Sequence, residues 1–433
     1  MANVLPFCAT TYAIDKVGDL SRVVTPPFDV ISDRDQAFFY ERHPFNIVRI
    51  ILGRQQPGDS ATDNRYLRAA GFFTQWRDQA VLVRDPQPAF YLSAVDHVRA
   101  AKRITRFGII GVVGLEPFER RIVLPHEHTF SKVKSERLEL LKACPANFSP
   151  IFALFSHNSD LLAPMKAQAA TSAPDFDFTD HAGLRRRLWR IGDPGRCAAF
   201  TSAMAFKTLL IADGHHRYET ALNYRQWRTQ HDPGYGPEQP CNFVMMYLCQ
   251  MEDPDVAIFP AHRLVNAIGD HVPDVLLQKA AVHFDITAVD APIEIFMERL
   301  AGCLPQTAFG LVLRNQPAFH LMVLKAGVMD RLFTAALHPA LRSIDVTVLT
   351  HLIFMQILGL DKDQMDDEKR IEYTSSAAEA ADRVARGAND AAFLLNPTRI
   401  DQVRQVAEAG LVMPRKATYF YPKVLEGEVI HCL

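Results

Sequence analysis

Short apolar runs alternate with longer stretches of helical periodicity along the whole chain, and that alternation limits the fold more than any other feature. Residues 47–52, 90–95, 107–113, 151–155, 208–212, 243–248, 309–313, 320–324 and 392–395 are rich in Val, Ile, Phe or Leu, are bounded by turn residues, and read as strands. Between them, residues 63–79 bring Tyr66, Leu67, Ala70, Phe73 and Trp76 onto one helical face, and residues 131–143 do the same with Val133, Leu138, Leu140 and Leu141. A further helix is expected over 343–358, opened by Ser343-Ile344-Asp345 and closed by Gly359. Residues 375–388, 391–395 and 398–409 read as helix, strand, helix. This pattern fits an α/β or α+β fold with mixed sheets and packed helices, not an all-α or all-β architecture.

At 433 residues and 48% hydrophobic content, the chain can bury a sizeable core without disulfides or a structural metal. It divides most simply into a main body over 1–265, a middle α/β segment over 266–340 and a C-terminal α/β unit over 341–433. With 47 Lys+Arg against 49 Asp+Glu there is no basic excess of the kind that phosphate-rich partners require, which argues against nucleic acid. No apolar stretch reaches the ~18–20 residues needed to span a bilayer. The longest, near Val346 to Leu360, is broken by Thr350, His351 and Gln356. The first residues lack the basic region and long apolar core of a secretory signal, so the cytoplasm is the expected compartment. Seven cysteines without a C-x-x-C pair read as reduced, structural thiols.

The sharpest local feature is Ile211-Ala212-Asp213-Gly214-His215-His216-Arg217-Tyr218. An apolar strand runs into Asp-Gly, and a helix-compatible run comes next. A sharp turn at Gly214 leaves free N–H groups at a helix start, a ready anion site aided by the helix dipole. His215, His216 and Arg217 add donors beside it, and Asp213 could hold Mg²⁺ or orient an imidazole. The plain alternative is a polar turn with one structural histidine.

Three other segments carry weaker signals. In Pro125-His126-Glu127-His128-Thr129, alternate side chains of an extended strand would let His126 and His128 share a metal with Glu127 or Asp213. Alternatively Glu127 is a general base, the histidines contact phosphate, or the segment is a polar loop. Thr25-Pro26-Pro27-Phe28-Asp29 is a stiff, extended arm that would either aim the Asp29 carboxylate or use it as a turn cap. The run from Met413 to Lys423 interleaves Arg415, Lys416 and Lys423 with aromatics, suited either to clamping a nucleotide or to an edge strand. Arg185-Arg186-Arg187 reads as a solvated face. Signatures of the Walker type, the dinucleotide-binding glycine loop and the nucleophile elbow are absent, so any nucleotide chemistry must use a different cradle.

Together these segments, with Leu5-Pro6-Phe7 and Ala261-His262-Arg263-Leu264-Val265, resemble a bacterial and archaeal family, the domain of unknown function numbered 1015. The likeness runs in order along nearly the whole chain and adds Arg263 to His126 and His128 as a candidate additional site. A narrower likeness joins Asp213-Gly214-His215-His216-Arg217 to the D-G-H-H-R turn of the ParB/sulfiredoxin-like superfamily. That group includes a nucleotide-dependent kinase acting on free serine and nucleotide-binding partition proteins. The match is five residues long, and this chain is larger than such kinases, with the turn further from its N-terminus. The resemblance implies an elaborated core of that type, in which Asp213, Gly214, His215, His216 and Arg217 grip nucleotide phosphates and Mg²⁺. It also implies a carboxylate, Glu127 or Asp29, that deprotonates the acceptor hydroxyl.

The expected function is therefore a Mg²⁺- and nucleotide-dependent phosphotransferase using ATP or ADP on a small hydroxylated metabolite such as free serine. Lys416 or Lys423 would supplement Arg217 in neutralising phosphate charge. Two alternatives stand beside it: a metal-assisted phosphohydrolase built on His126, His128 and Asp213, and a non-catalytic nucleotide sensor or assembly protein. The acceptor, the nucleotide and the oligomeric state are left open.

Overall fold

The structure, a computed structural model, describes residues 1–99, 102–127, 129, 131–266, 272–367 and 369–433. The chain is a mixed α/β protein that forms two compact units. The first comprises Met1–Pro125, Thr129–Ala257 and Pro422–Leu433; the second holds His126, Glu127 and Ile258–Tyr421.

A nine-stranded sheet organises the first unit, among the described residues. Its main path runs Val123–Leu124, Leu209–Asp213, Ile151–Phe155, Phe243–Gln250, Lys102–Gly114, Phe90–Arg99, Arg185–Ile191 and Phe176–Thr179, and Val4–Leu5 pairs with Lys102–Gly114. Leu209–Asp213 is parallel to Val123–Leu124 and antiparallel to Ile151–Phe155, which in turn is parallel to Phe243–Gln250. The central strands are buried on both faces, which is why they read as near-continuous apolar runs rather than as an alternation. One face packs Phe90, Ile109, Ile151, Ile211 and Met246 against Phe200 and Met204 of helix Pro194–Met204 and Tyr218 of helix His215–His231. A second core gathers Trp76 and Phe73 of helix Arg65–Asp78 with Tyr12, Ile50, Leu140 and Phe148.

The second unit is built on a six-stranded antiparallel sheet in the order Phe284–Val289, Phe319–Leu324, Ala308–Leu313, Ala391–Leu395, His262–Val265, Ile371–Thr374. Alternation along Ala308–Leu313 sends Phe309, Leu311 and Leu313 into one core and Ala308 and Val312 into another. Strands from both sides of residue 340 are interleaved here, so the boundary expected at that point falls inside one sheet.

Most expected elements are present, with three differences. The run 47–52 contains a helical turn, Val48–Ile51, instead of a strand, and Asn46 Oδ1 accepts from Val48 N at 2.9 Å at its start. Within 343–358 the helix covers Asp345–Val348 and Leu349–Ile357, and the latter, most of its length, is π-helix, with Gly359 in left-handed conformation after it. Arg186 is buried, not solvated, and its Nε donates to Asp180 at 2.7 Å. Among the described residues, no helix is long and apolar enough to cross a membrane.

Candidate functional site

Strand Leu209–Asp213 is apolar through Ala212, so Asp213 is its first residue to offer a polar side chain. A bulge decides where that side chain goes. Leu210 faces Leu154 and Ile211 faces Ala153, but the next register pair is Asp213 with Phe152, which leaves Ala212 as the extra residue. Such an insertion bends the strand and re-aims the residues beyond it. Gly214 then takes φ +96°, and helix His215–His231 begins at once. A Cβ on Gly214 would sit 2.9 Å from Arg217 Nε, so that guanidinium would have to shift, and the left-handed dihedral itself favours glycine. Gly214→Ala is expected to cost about 1–3 kcal/mol through left-handed strain and a displaced guanidinium. Urea melts of the variant and the parent chain measure this, and coincident midpoints would refute it.

Beside the helix start, Asp213 gathers two cations. Its Oδ1 accepts from Lys423 Nζ at 2.7 Å and its Oδ2 from Arg217 Nη2 at 2.8 Å. Burial is the largest single influence and opposes ionisation, but Lys423, then Arg217, then His215 together outweigh it and hold the carboxyl well below the usual carboxylate range. Arg217 is braced further, its Nη1 donating to Ser149 Oγ and, at 2.7 Å, to Pro150 O. His215 is buried and His216 half-buried at the first two helical positions.

Arg217 also lines a cavity of about 70 Å³ within the same unit. Leu140, Leu141, Phe148, Ile151 and Val244 give it apolar walls, and Arg137, Arg217 and Glu426 bring charge. Arg137 comes from helix Ser131–Ala143, which is tied to helix His215–His231 by Lys134 Nζ donating to Glu219 Oε2 at 2.5 Å. The Arg137 guanidinium lies 4.0 Å from the centre of the Phe28 ring, and its Nη1 donates to Ile51 O at 2.7 Å. Glu426 is 2% exposed. Its backbone pairs with Thr25 in both directions, and its Oε1 accepts from Phe28 N at 3.0 Å. Burial pushes its carboxyl up to about 7, with Asp29 adding to the rise and Arg217, the Phe28 N–H and Arg137 resisting it.

The family model described as a protein of unknown function (DUF1015) matches residues 4–347. The chain belongs to this family. The DUF1015 match takes in the 25–29 arm, the 126–127 segment and the 213–217 turn, whereas Met413 to Lys423 lies beyond it. No curated protein matches the chain by sequence. Among solved structures, it is similar to a conserved hypothetical protein from Pyrococcus furiosus at 15% identity, covering 70% of this chain and 89% of that one, with a TM-score of 0.34. It is also similar to a free serine kinase variant in complex with ADP, at 15% identity over 71% and 90% of the two chains and a TM-score of 0.35. A third, SbnI from Staphylococcus aureus, is 9% identical over 73% and 80%, with a TM-score of 0.30. Likeness at that level fixes neither fold detail nor chemistry for this chain.

The expected site residues of this DUF1015 chain are distributed over both units. Asp29, Asp213, Gly214, His215, His216, Arg217 and Lys423 belong to the first; His126, Glu127, Arg263 and Lys416 to the second. His128 lies outside the described residues. Pro27 is extended, at φ −55°, ψ 144°, but Phe28 already opens the short 3-10 turn Phe28–Val30, so the arm is shorter than expected. Asp29 itself is exposed on the turn at the end of the arm, and the carboxylate buried against the arm is Glu426. In the second unit, Glu127 Oε1 accepts from the Lys416 backbone N–H at 3.3 Å, and Met413 N donates to His126 O at 2.8 Å. His126 is buried, with Nε2 2.9 Å from Thr418 Oγ1. Buried Arg263 donates to Arg415 O at 3.2 Å, to Lys416 O at 3.0 Å and to Ala261 O. These three side chains therefore fasten the 413–418 segment to its own unit.

A metal role for Asp213 does not fit. Both of its oxygens already accept from cations, and a helix start flanked by Lys423 and Arg217 favours an anion. Among the described residues, no group of three or more His, Cys, Asp or Glu side chains is placed to hold a metal ion. Sequence reasoning alone misses Glu426 and Arg137. For the first, the one signal to hand is a carboxylate flanked by apolar residues and glycine in Leu425-Glu426-Gly427. Arg137, on an apolar-patterned helix, has none.

Proposed function

We propose that this chain is a nucleotide-dependent phosphotransferase acting on a small hydroxylated metabolite, with free serine among the candidate acceptors. One observation carries the reading: Asp213 holds Lys423 and Arg217 beside the N-terminus of helix His215–His231, where Gly214 breaks the strand. The first N–H groups of a helix lack intrahelical partners and its dipole favours negative charge. Lysine adds a compact point charge and arginine a planar fork, both suited to phosphate oxygens. Phosphoryl transfer needs little covalent help from a protein beyond positioning and charge neutralisation, and this turn offers both. Mg²⁺ bound with the nucleotide would add to that charge neutralisation. Of the two proton acceptors that the superfamily likeness implies, Asp29 lies in the same unit as this turn and Glu127 in the other.

The test is a thermal-shift screen of the full chain with ATP, ADP, CTP and GTP, each with and without Mg²⁺, followed by an acceptor screen that includes serine. A nucleotide at ~100 times its Kd should add roughly 2.7 kcal/mol of stability. We expect such a shift in the parent chain and its loss in His216→Ala. No shift with any nucleotide would end the phosphotransferase reading. A shift without turnover on any acceptor would favour a nucleotide sensor instead.

A further inference from the structure

The cavity beside Arg217 is shaped and charged for a ligand of its own. We infer that it binds a small hydroxylated carboxylate, whose carboxylate group pairs with Arg137 and whose hydroxyl faces Glu426. Size sets the first limit: a cavity of about 70 Å³ suits a small ligand. Charge sets the second. Two guanidiniums and one carboxyl line it, an excess of positive charge that calls for a single anionic group. Arg137 Nε is buried without a hydrogen-bond partner, and a buried charged donor left unpaired is costly. Its Nη1 is spent on Ile51 O and its ring face lies on Phe28, which fixes the plane in which an incoming carboxylate would dock.

Glu426 supplies the third limit. A ligand hydroxyl would give that carboxyl a further donor to accept from, which an acid without a hydroxyl would not. Its Oε1 takes the Phe28 N–H, and a carboxylate has capacity for further donors. The charged groups acting on Glu426 are Arg137, Arg217 and Asp29, and burial sets its proton affinity near neutrality, where it can exchange a proton. Treating the bound molecule as the phosphoryl acceptor rests on the phosphotransferase reading. In that case the hydroxyl proton passes to Glu426 and the hydroxyl oxygen bonds to the terminal phosphorus of the nucleotide. The bond from that phosphorus to its bridging oxygen then breaks, and the departing nucleotide keeps the electron pair.

Calorimetric titration of the full chain with DL-glycerate and with L-serine tests the site, with glycerol and propionate as controls lacking the carboxylate or the hydroxyl. We expect at least one hydroxylated carboxylate to bind at least tenfold more tightly than either control. Its affinity should fall at least tenfold in Arg137→Lys, which keeps the charge and loses the fork, and again in Glu426→Gln, with circular dichroism confirming both folds. Equal binding of glycerol or propionate, unchanged affinity in both variants, or no binding of glycerate and serine would each overturn the inference. Nucleotide shifts recorded on the same samples separate the two claims. Carboxylate binding without any nucleotide shift removes the phosphotransferase reading alone, and a nucleotide shift without carboxylate binding removes this one.

Discussion

Asp213→Asn is expected to destabilise the chain by about 2–3 kcal/mol at pH 7, because it leaves Lys423 and Arg217 facing each other without a counter-charge. Breaking a buried ion pair by removing one partner costs about 3–5 kcal/mol. Here the Lys423 and Arg217 side chains are each 14% exposed and Asp213 is 18% exposed, so some solvent screening remains and the lower end applies. Asparagine keeps the shape and can still accept a hydrogen bond, which isolates the charge. The pH dependence comes from the carboxyl lying well below its ordinary range in the folded chain. A carboxyl whose folded pKa is depressed contributes its full stabilisation above its unfolded pKa, near 4, and loses it as pH falls through the folded value. Urea melts at pH 7, 4 and 2.5 should therefore show the parent and the variant converging only in strong acid. A gap that stayed constant across that range would mean that the two ion pairs are not its source.

That same trio shows how far the sequence can be read. The strand, the Gly214 turn and the helix after it are set by local pattern, and so is the supply of cations. The partner of Asp213 is not, since Lys423 lies 210 residues along the chain and only the fold brings it within 2.7 Å. The bulge at Ala212 is likewise set by register with Ile151–Phe155, which no single strand reveals. Residue type alone allows Asp213 a metal; geometry hands both its oxygens to cations. For His126, Glu127 and Arg263 the residue types suit metal, base or phosphate chemistry, yet each serves the backbone or side chains of 413–418. Sequence pattern finds elements well because burial has a period. It finds partners poorly because pairing has none.

Glu426→Gln is expected to act in the opposite direction and to stabilise the chain by roughly 3 kcal/mol at pH 8. Burial raises this carboxyl from an ordinary 4.5 to about 7, against the pull of Arg217, the Phe28 N–H and Arg137. A carboxyl whose folded pKa is raised contributes fully below its unfolded pKa and loses that contribution as pH climbs through the folded value. Each pH unit between the two values removes about 1.4 kcal/mol, which gives the roughly 3 kcal/mol expected here. Glutamine is neutral throughout and its Oε1 can still accept from Phe28 N, so the variant avoids the loss while keeping the bond. The two chains should be equally stable at pH 4 to 4.5, should diverge from there to pH 7, and should run parallel above it. Urea midpoints at pH 4.5, 6, 7 and 8 read this directly, and midpoints that coincide at every pH would mean that Glu426 ionises without penalty. The functional expectation runs against the gain: the stabilised variant should bind hydroxylated carboxylates at least tenfold more weakly. Stability gained at a functional position commonly comes with function lost.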